Sequence, residues 1–296
     1  MKRQWIQQRR ERIADAILRL PPYRLPEPTT QLASIHMLSC RRDWLGALWS
    51  TRTFFANLGE TLPVFVHDDG TLTRDIATRM QSFFPGLKVV SVPEANAVAE
   101  RKLADFPRCL QARKRHAMLY KLLDVPNFAL GEKYLLLDSD LLFFAYPTEI
   151  AQWLRGAERV NLWNRDIKNY LNITSEEARQ RHGVKLVENV NAGMGCIWRE
   201  SMEIQIIEEY FGYDSVWLPQ PYNAEQTAFA LLSSRFGMRF LPPSYLIDVR
   251  RETGLPPGLV MKHYVGKVRD LFFTEGIVYQ LNHGFLSRPH GPATHA

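Results

Sequence analysis

The feature that most constrains the fold is a repeated alternation of short apolar runs with segments of helical spacing. Residues 32–38 read as a buried strand, and 43–58 as a helix with Leu45, Leu48, Phe54 and Phe55 on its apolar side. Residues 62–67 form a second strand, 72–84 a helix and 87–92 a third strand. A helical stretch over 111–125 carries Met118, Leu119, Leu122 and Leu123, and 134–137 is a strand that is apolar throughout. Residues 161–163 and 190–198 are further strands, with helices over 199–211 and 223–235. A strand without polar alternation is covered on both faces, as in parallel sheets. The alternation therefore predicts an α/β fold, an open, mostly parallel sheet flanked by helices. Such sheets bind ligands beyond the carboxyl ends of their strands, so the chemistry is expected just after strands.

Composition narrows the class. The chain has 296 residues, 46% hydrophobic and 23% charged, enough for a sizeable core. Cys40, Cys109 and Cys196 are scattered and match no zinc or redox spacing, which fits a reducing, cytoplasmic setting. Within residues 1–24 seven basic residues face two acidic ones, so the remaining 272 residues carry only +1 of the net +6. No nucleic-acid surface is implied across such a body. No run is long and apolar enough to span a membrane, and the N-terminus lacks the apolar stretch of a signal peptide. Ile6, Ile13, Ile17 and Leu20 share one helical face with arginines elsewhere on the wheel. That pattern fits a helix packed on the domain with a solvated basic face, or one with peripheral membrane contact. Pro21, Pro22, Pro26 and Pro28 end this helix and extend the linker. The expected organisation is thus a basic helix and linker over 1–28, one domain over 29–286 and a loose tail over 287–296.

One strand ends in chemistry. Leu135-Leu136-Leu137 runs into Asp138-Ser139-Asp140, and Leu141-Leu142-Phe143-Phe144 follows. An extended Asp-x-Asp puts both carboxylates on one side of the backbone. Two carboxylates interrupting an apolar run need a partner, because unpaired burial is costly. The partner is a hard divalent cation with positions open to phosphate oxygens, or else a basic side chain or helix cap. With 13 aspartates, roughly half an Asp-x-Asp arises by chance, so context carries the reading.

That context resembles the nucleotide-sugar glycosyltransferases of the GT-A fold, and most of all family 8, the glycogenin and lipopolysaccharide galactosyltransferase type. The resemblance runs through about residues 31–275. It implies a GT-A fold, transfer of a sugar from a nucleoside-diphosphate sugar (UDP by preference) with retention, and Mn²⁺ or Mg²⁺ on Asp138 and Asp140. His263-Tyr264-Val265-Gly266-Lys267-Val268-Arg269 resembles the family's His-x-x-Gly-x-x-Lys-Pro-Trp, in which the His completes the metal site and the Lys binds the diphosphate. His263 and Gly266 match, Arg269 stands at the Lys position with Lys267 as a rival, and Asp270-Leu271 replaces Pro-Trp. Arginine binds phosphate bidentately, so the role is preserved in kind.

Other segments follow in family order. Glu225-Gln226 resembles an Asp-Gln pair facing the sugar, although a Glu at a helix start also suits the dipole. Asn191-Ala192-Gly193 resembles a small-residue turn whose Asn contacts the donor sugar; otherwise it is a strand entry. His36 near the end of the first strand, Trp44 after Asp43, and Asp69 in His67-Asp68-Asp69-Gly70 are expected around the nucleoside. Core packing of the Trp and a simple turn at Asp69 are the plainer alternatives. Lys121, set in an apolar helical face after Arg113, Lys114 and Arg115, is expected to point at the donor. The acceptor (a glycan, a lipid-linked glycan or a small molecule) would meet the polar stretch 164–186. Two rivals stand beside this reading: a non-catalytic nucleotide-sugar-binding protein of the same fold, and a sugar nucleotidylyltransferase. The second normally opens on a glycine-rich phosphate loop, and Ser39-Cys40-Arg41-Arg42 has no glycine.

Overall fold

A computed structural model describes residues 10–26, 33–217, 223–248 and 254–284. The strands are β1 (Ser34–Ser39), β2 (Val64–Asp68), β3 (Lys88–Val90), β4 (Lys133–Leu137), β5 (Leu141–Phe143), β6 (Asn161–Arg165), β7 (Val190–Trp198), β8 (Met238–Phe240), β9 (Tyr245–Asp248) and β10 (Met261–Tyr264). Seven of them form one sheet in the order β3-β2-β1-β4-β7-β6-β8. Its pairings are parallel except β4 with β7 and β7 with β6. The strand–helix alternation thus yields the mixed, mostly parallel sheet it predicts. A second sheet of three strands, β5-β10-β9, stands beside it.

β4 shows why its sequence is apolar throughout. Leu135 and Leu137 join the core beneath the Trp44–Leu58 helix, with Leu48, Phe54 and Phe55. Tyr134 and Leu136 join a separate core on the other face, with Leu122, Leu123 and Phe229. Successive side chains alternate between faces, and both faces are covered. Each fully buried leucine contributes about 1.5–3 kcal/mol.

The N-terminal segment belongs to the same core. Ile17 is fully buried, Ala14, Leu20, Tyr23 and Leu25 are nearly so, and Ile13 packs against them. Trp49 Nε1 donates to the Ala14 carbonyl at 2.9 Å, and Tyr23 N to the Phe83 carbonyl at 2.8 Å. The apolar face of Ile13, Ile17 and Leu20 is therefore spent on the domain. Lys2, Arg3, Ile6 and Arg9, and the tail from Ser287, lie outside the described residues. No described helix is long and apolar enough to cross a membrane.

Two expectations are corrected. The single helix over 111–125 is a Pro107–Arg115 helix, a 3-10 turn Ala117–Leu119 and short helices Tyr120–Leu123 and Val125–Phe128. His116 breaks it with an extended backbone (φ −155°, ψ 129°), and its Nδ1 accepts the Met118 amide at 3.2 Å. Residues 141–144, read only as an apolar flank, supply β5, an edge strand of the second sheet that pairs with β10.

Candidate active site

The link between β4 and β5 is Asp138-Ser139-Asp140, and backbone hydrogen bonds pin it from both sides. Asp138 N donates to the Gly193 carbonyl of β7 at 2.8 Å, and Tyr264 N of β10 donates to the Asp140 carbonyl at 3.0 Å. β10 runs antiparallel to β5 with His263 opposite Leu141. That register delivers the imidazole to the carboxylates. His263 Nε2 lies 3.1 Å from Asp140 Oδ1 and 3.9 Å from Asp138 Oδ2.

Two glycines allow this closeness. A Cβ on Gly46 would sit 2.4 Å from the Ser139 carbonyl oxygen, so the Trp44–Leu58 helix approaches the turn only through a glycine. A Cβ on Gly193 would sit 2.0 Å from His263 Cε1, so β7 must be bare where the imidazole lies over it.

The charged side chains form one chain. Lys121 Nζ, almost fully buried, lies 3.0 Å from Asp138 Oδ1 and 3.0 Å from Glu225 Oε1, and donates to the Ala192 carbonyl at 3.0 Å. The Glu225 contact is an ion pair by distance without hydrogen-bond alignment. On the other side, Arg269 Nε lies 3.3 Å from Asp140 Oδ2, and its terminal NH2 donates to Asp43 Oδ2 at 3.0 Å. Arg42 grips Asp43 with two bonds of 2.8 Å. From Glu225 through Lys121, Asp138, Asp140, Arg269 and Asp43 to Arg42 the signs alternate with one exception. At Asp138 and Asp140 two anions stand side by side, with the imidazole of His263 between them.

The three groups fit a divalent ion. Asp138, Asp140 and His263 each offer a ligand atom, and these atoms all lie within 4.8 Å of one another. Ligands bound at about 2.0–2.6 Å to one hard cation are at most about 4–5 Å apart. The Gly193 cradle leaves the ring where Nε2 faces both carboxylates, while Nδ1 is buried with no hydrogen-bond partner among the described residues.

The electrostatics follow the chain. Burial opposes ionisation of Asp140, but His263 and Arg269 outweigh it and hold its pKa below the ordinary carboxylate range. Burial also opposes the charge on Lys121, yet Asp138 and Glu225 raise its pKa above the usual lysine value. Glu225 is pushed up to about 7, first by burial and then by Asp138, against the pull of Lys121. One ammonium shared by two carboxylates leaves the deeper one poorly compensated.

Two clefts flank this centre. The first, of about 390 Å³, is lined by Leu38, Ser39, Asp69, His116 and Met118 together with Asp138, Asp140 and Arg269. The second, of about 760 Å³, is lined by Asp166 to Asn172, Asn191, Asn223, Gln226 and Val265-Gly266-Lys267. The structure thus gathers Asp138, Asp140, His263, Lys121, Glu225 and Arg269 into one cluster and sets Asn191, Gln226, Gly266 and Lys267 around the neighbouring cleft. Asn191 Oδ1 accepts the Gly193 amide at 3.0 Å, and Gln226 Oε1 accepts the Ala192 amide at 3.3 Å. Asp69 lies on the wall of the first cleft, its Oδ1 accepting from Thr71.

His36 and Trp44 are placed elsewhere. His36 is fully buried, hydrogen-bonded to Ser34 Oγ at 2.9 Å and His67 Nε2 at 3.0 Å. Burial drives both imidazole pKa values down, that of His67 to about 3. Trp44 packs in the first core, with the Arg79 guanidinium 4.8 Å from its ring centre. Neither side chain lines the two clefts.

Sequence reasoning missed Asp166. It directly follows β6, is nearly buried, and accepts Asn191 Nδ2 at 2.8 Å and the Ile167 amide at 2.8 Å. Burial raises its pKa against those two bonds. Its place at a strand end was the available signal. Asp43 as a partner of Arg269, and Arg42 as a partner of Asp43, were also missed.

No family model matches this sequence, and no curated protein matches it as a relative. Solved structures do match. The glycosyltransferase GlyE of Streptococcus pneumoniae TIGR4 is 12% identical, with 90% of this chain and 66% of that one covered and a TM-score of 0.51. The bifunctional glycosyltransferase WbbM is 10% identical, with 86% and 51% covered and a TM-score of 0.50. This chain therefore spans just under two thirds of the GlyE chain and about half of the WbbM chain. At such identities the likeness is one of fold: the chain has the α/β fold of solved glycosyltransferases, the GT-A type expected from the sequence.

Proposed function

We propose that this chain is a metal-dependent glycosyltransferase that moves a sugar from a nucleoside-diphosphate sugar, a UDP-sugar by preference, to an acceptor in the second cleft. The observation that carries the reading is the single break in charge alternation, where Asp138 and Asp140 face His263 within 4.8 Å. The shared fold with GlyE and WbbM supports it.

Asp138, Asp140 and His263 would hold Mn²⁺ or Mg²⁺. Bound there, the ion would neutralise the charge that builds on the departing diphosphate. Lys121 holds Asp138 in place from behind and is itself anchored on the Ala192 carbonyl and Glu225. Arg269 borders the first cleft and would grip the diphosphate as a planar, bidentate donor. The nucleoside would lie between the end of β1 and Asp69, with His116 and Met118 opposite. Asn191 and Gln226, fixed by the β7 backbone, would hold the transferred sugar at the boundary of the two clefts. Asp166 orients Asn191 and reaches the acceptor side. Glu225 would act through Lys121, since its carboxylate is buried behind that ammonium.

The deciding experiment is a panel of nucleotide sugars assayed for hydrolysis and transfer, with and without Mn²⁺, on the wild type, Asp138→Asn and Asp140→Asn. Metal-dependent turnover confined to the wild type is expected. Equal turnover in all three proteins sinks the proposal, and binding of metal and nucleotide without turnover on any donor favours a non-catalytic binding protein.

A further inference from the structure

Arg269 lies at an unusual junction. Its Nε lies 3.3 Å from Asp140 Oδ2, while Asp140 Oδ1 faces His263 at 3.1 Å. Its terminal NH2 is 3.0 Å from Asp43 Oδ2. The side chain is about one third exposed, whereas Asp43 and Asp140 are mostly buried. Arg269 also lines two spaces, the 390 Å³ cleft and a smaller pocket of about 170 Å³ walled by Glu11, Ala14, Phe272 and Phe273. The guanidinium therefore has two anionic anchors and room on both sides.

We propose that Arg269 is an internal competitor of the metal for Asp140, and that Asp43 is the positioning residue that draws it aside. This rests on the metal reading above. A divalent ion on Asp140 and a guanidinium on the same carboxylate repel each other at close range, in a site partly screened from water. Ion entry is opposed while Arg269 leans on Asp140, and eased when it leans on Asp43. An anionic diphosphate that takes the guanidinium removes the same obstacle. Metal and diphosphate then strengthen each other's binding, and the coupling is reciprocal. Arg42, which ties up Asp43 with two bonds, sets how much of that carboxylate is left for Arg269.

The test needs only Mn²⁺, measured by calorimetric or spin-resonance titration of the full chain without nucleotide. Arg269→Gln is expected to bind Mn²⁺ roughly five- to tenfold more tightly than the wild type. Asp43→Asn is expected to bind it several-fold more weakly, because the guanidinium is left with Asp140 alone. In the Arg269→Gln background Asp43→Asn should lose most of that effect, which a merely structural role for Asp43 would not produce. Arg42→Gln removes an equal charge but also frees Asp43 to hold Arg269, so it is expected to tighten Mn²⁺ binding less than Arg269→Gln does and to lose most of that effect in the Arg269→Gln background. If Arg42→Gln tightens binding as much with Arg269 absent as with it present, net charge explains the effect and the proposal fails. If the wild type binds Mn²⁺, Asp140→Asn abolishes it and Arg269→Gln leaves affinity unchanged or weaker, this inference falls and the metal reading stands. If neither the wild type nor Arg269→Gln binds Mn²⁺, both fall.

Discussion

The closest approach in the site is that of β7 to His263, and it gives a sharp test. Gly193 has no positive φ, so alanine fits its backbone and only the added methyl matters. That methyl would lie 2.0 Å from His263 Cε1, 2.7 Å from Nδ1 and 2.9 Å from Nε2. To reach ordinary contact at 3.4 Å the ring must withdraw by about 1.4 Å. Overpacking of this kind costs about 1–3 kcal/mol. A ligand displaced by more than about 0.5 Å no longer holds its geometry, so Gly193→Ala should weaken Mn²⁺ binding by roughly a hundredfold. Gly195 supplies the control two residues along the same strand. Its methyl would meet Trp163 Cζ3 at 2.5 Å, in the core and away from the ligands. Gly195→Ala should lose similar stability, a few degrees in Tm, while keeping near-native Mn²⁺ affinity. Thermal melts and Mn²⁺ titrations on both variants decide the matter. A folded Gly193→Ala with wild-type Mn²⁺ affinity would refute the assignment of His263, and equal loss of binding in both would mean general damage to the sheet.

Other outcomes follow from the buried charges. The Glu225 pKa is raised from 4.5 to about 7, so its contribution to stability is full below pH 4.5 and is lost as pH rises through 7. The loss is about 3 kcal/mol, and Glu225→Gln should flatten that part of the curve in urea melts between pH 5 and 8; identical slopes in the two proteins would contradict it. Lys121→Met leaves Asp138 and Glu225 without their shared cation and should cost about 3–5 kcal/mol at pH 8 and less at pH 5. Combining it with Glu225→Gln should recover part of the loss, as read from the same melts; no recovery would show that Lys121 matters by shape alone.

Much of this was legible in the sequence where residues act locally. β4 announced itself because Leu135, Leu136 and Leu137 are buried on both faces, and the two charges after it mark a strand end. The link from Asp140 to His263 spans 123 residues and depends on the three-residue strand β5, too short to carry a pattern. The Asp43–Arg269 pair spans 226 residues and involves two ordinary surface residue types. His36 was expected to face the nucleoside from near the end of the first strand, but its side chain turns into the core against Ser34 and His67. Asp166 sits in Arg165-Asp166-Ile167-Lys168, which reads as polar loop; its place just after β6 was a weak signal, and its bond to Asn191 on β7 shows its role.

The small sheet β5-β10-β9 has a mechanical consequence. The carboxylates sit at the exit of the large sheet, while the imidazole rides on β10, so the cluster is a seam between two sheets. An ion held across that seam would behave as a reversible cross-link closing a loop of 123 residues. At a hundred times its dissociation constant it would add about 2.7 kcal/mol to the folded state. That gain should be concentrated where the seam opens, as slower amide hydrogen exchange in β5 and β10 than in β2 or β3. β10 would then be fastened to the β4–β5 turn by that ion.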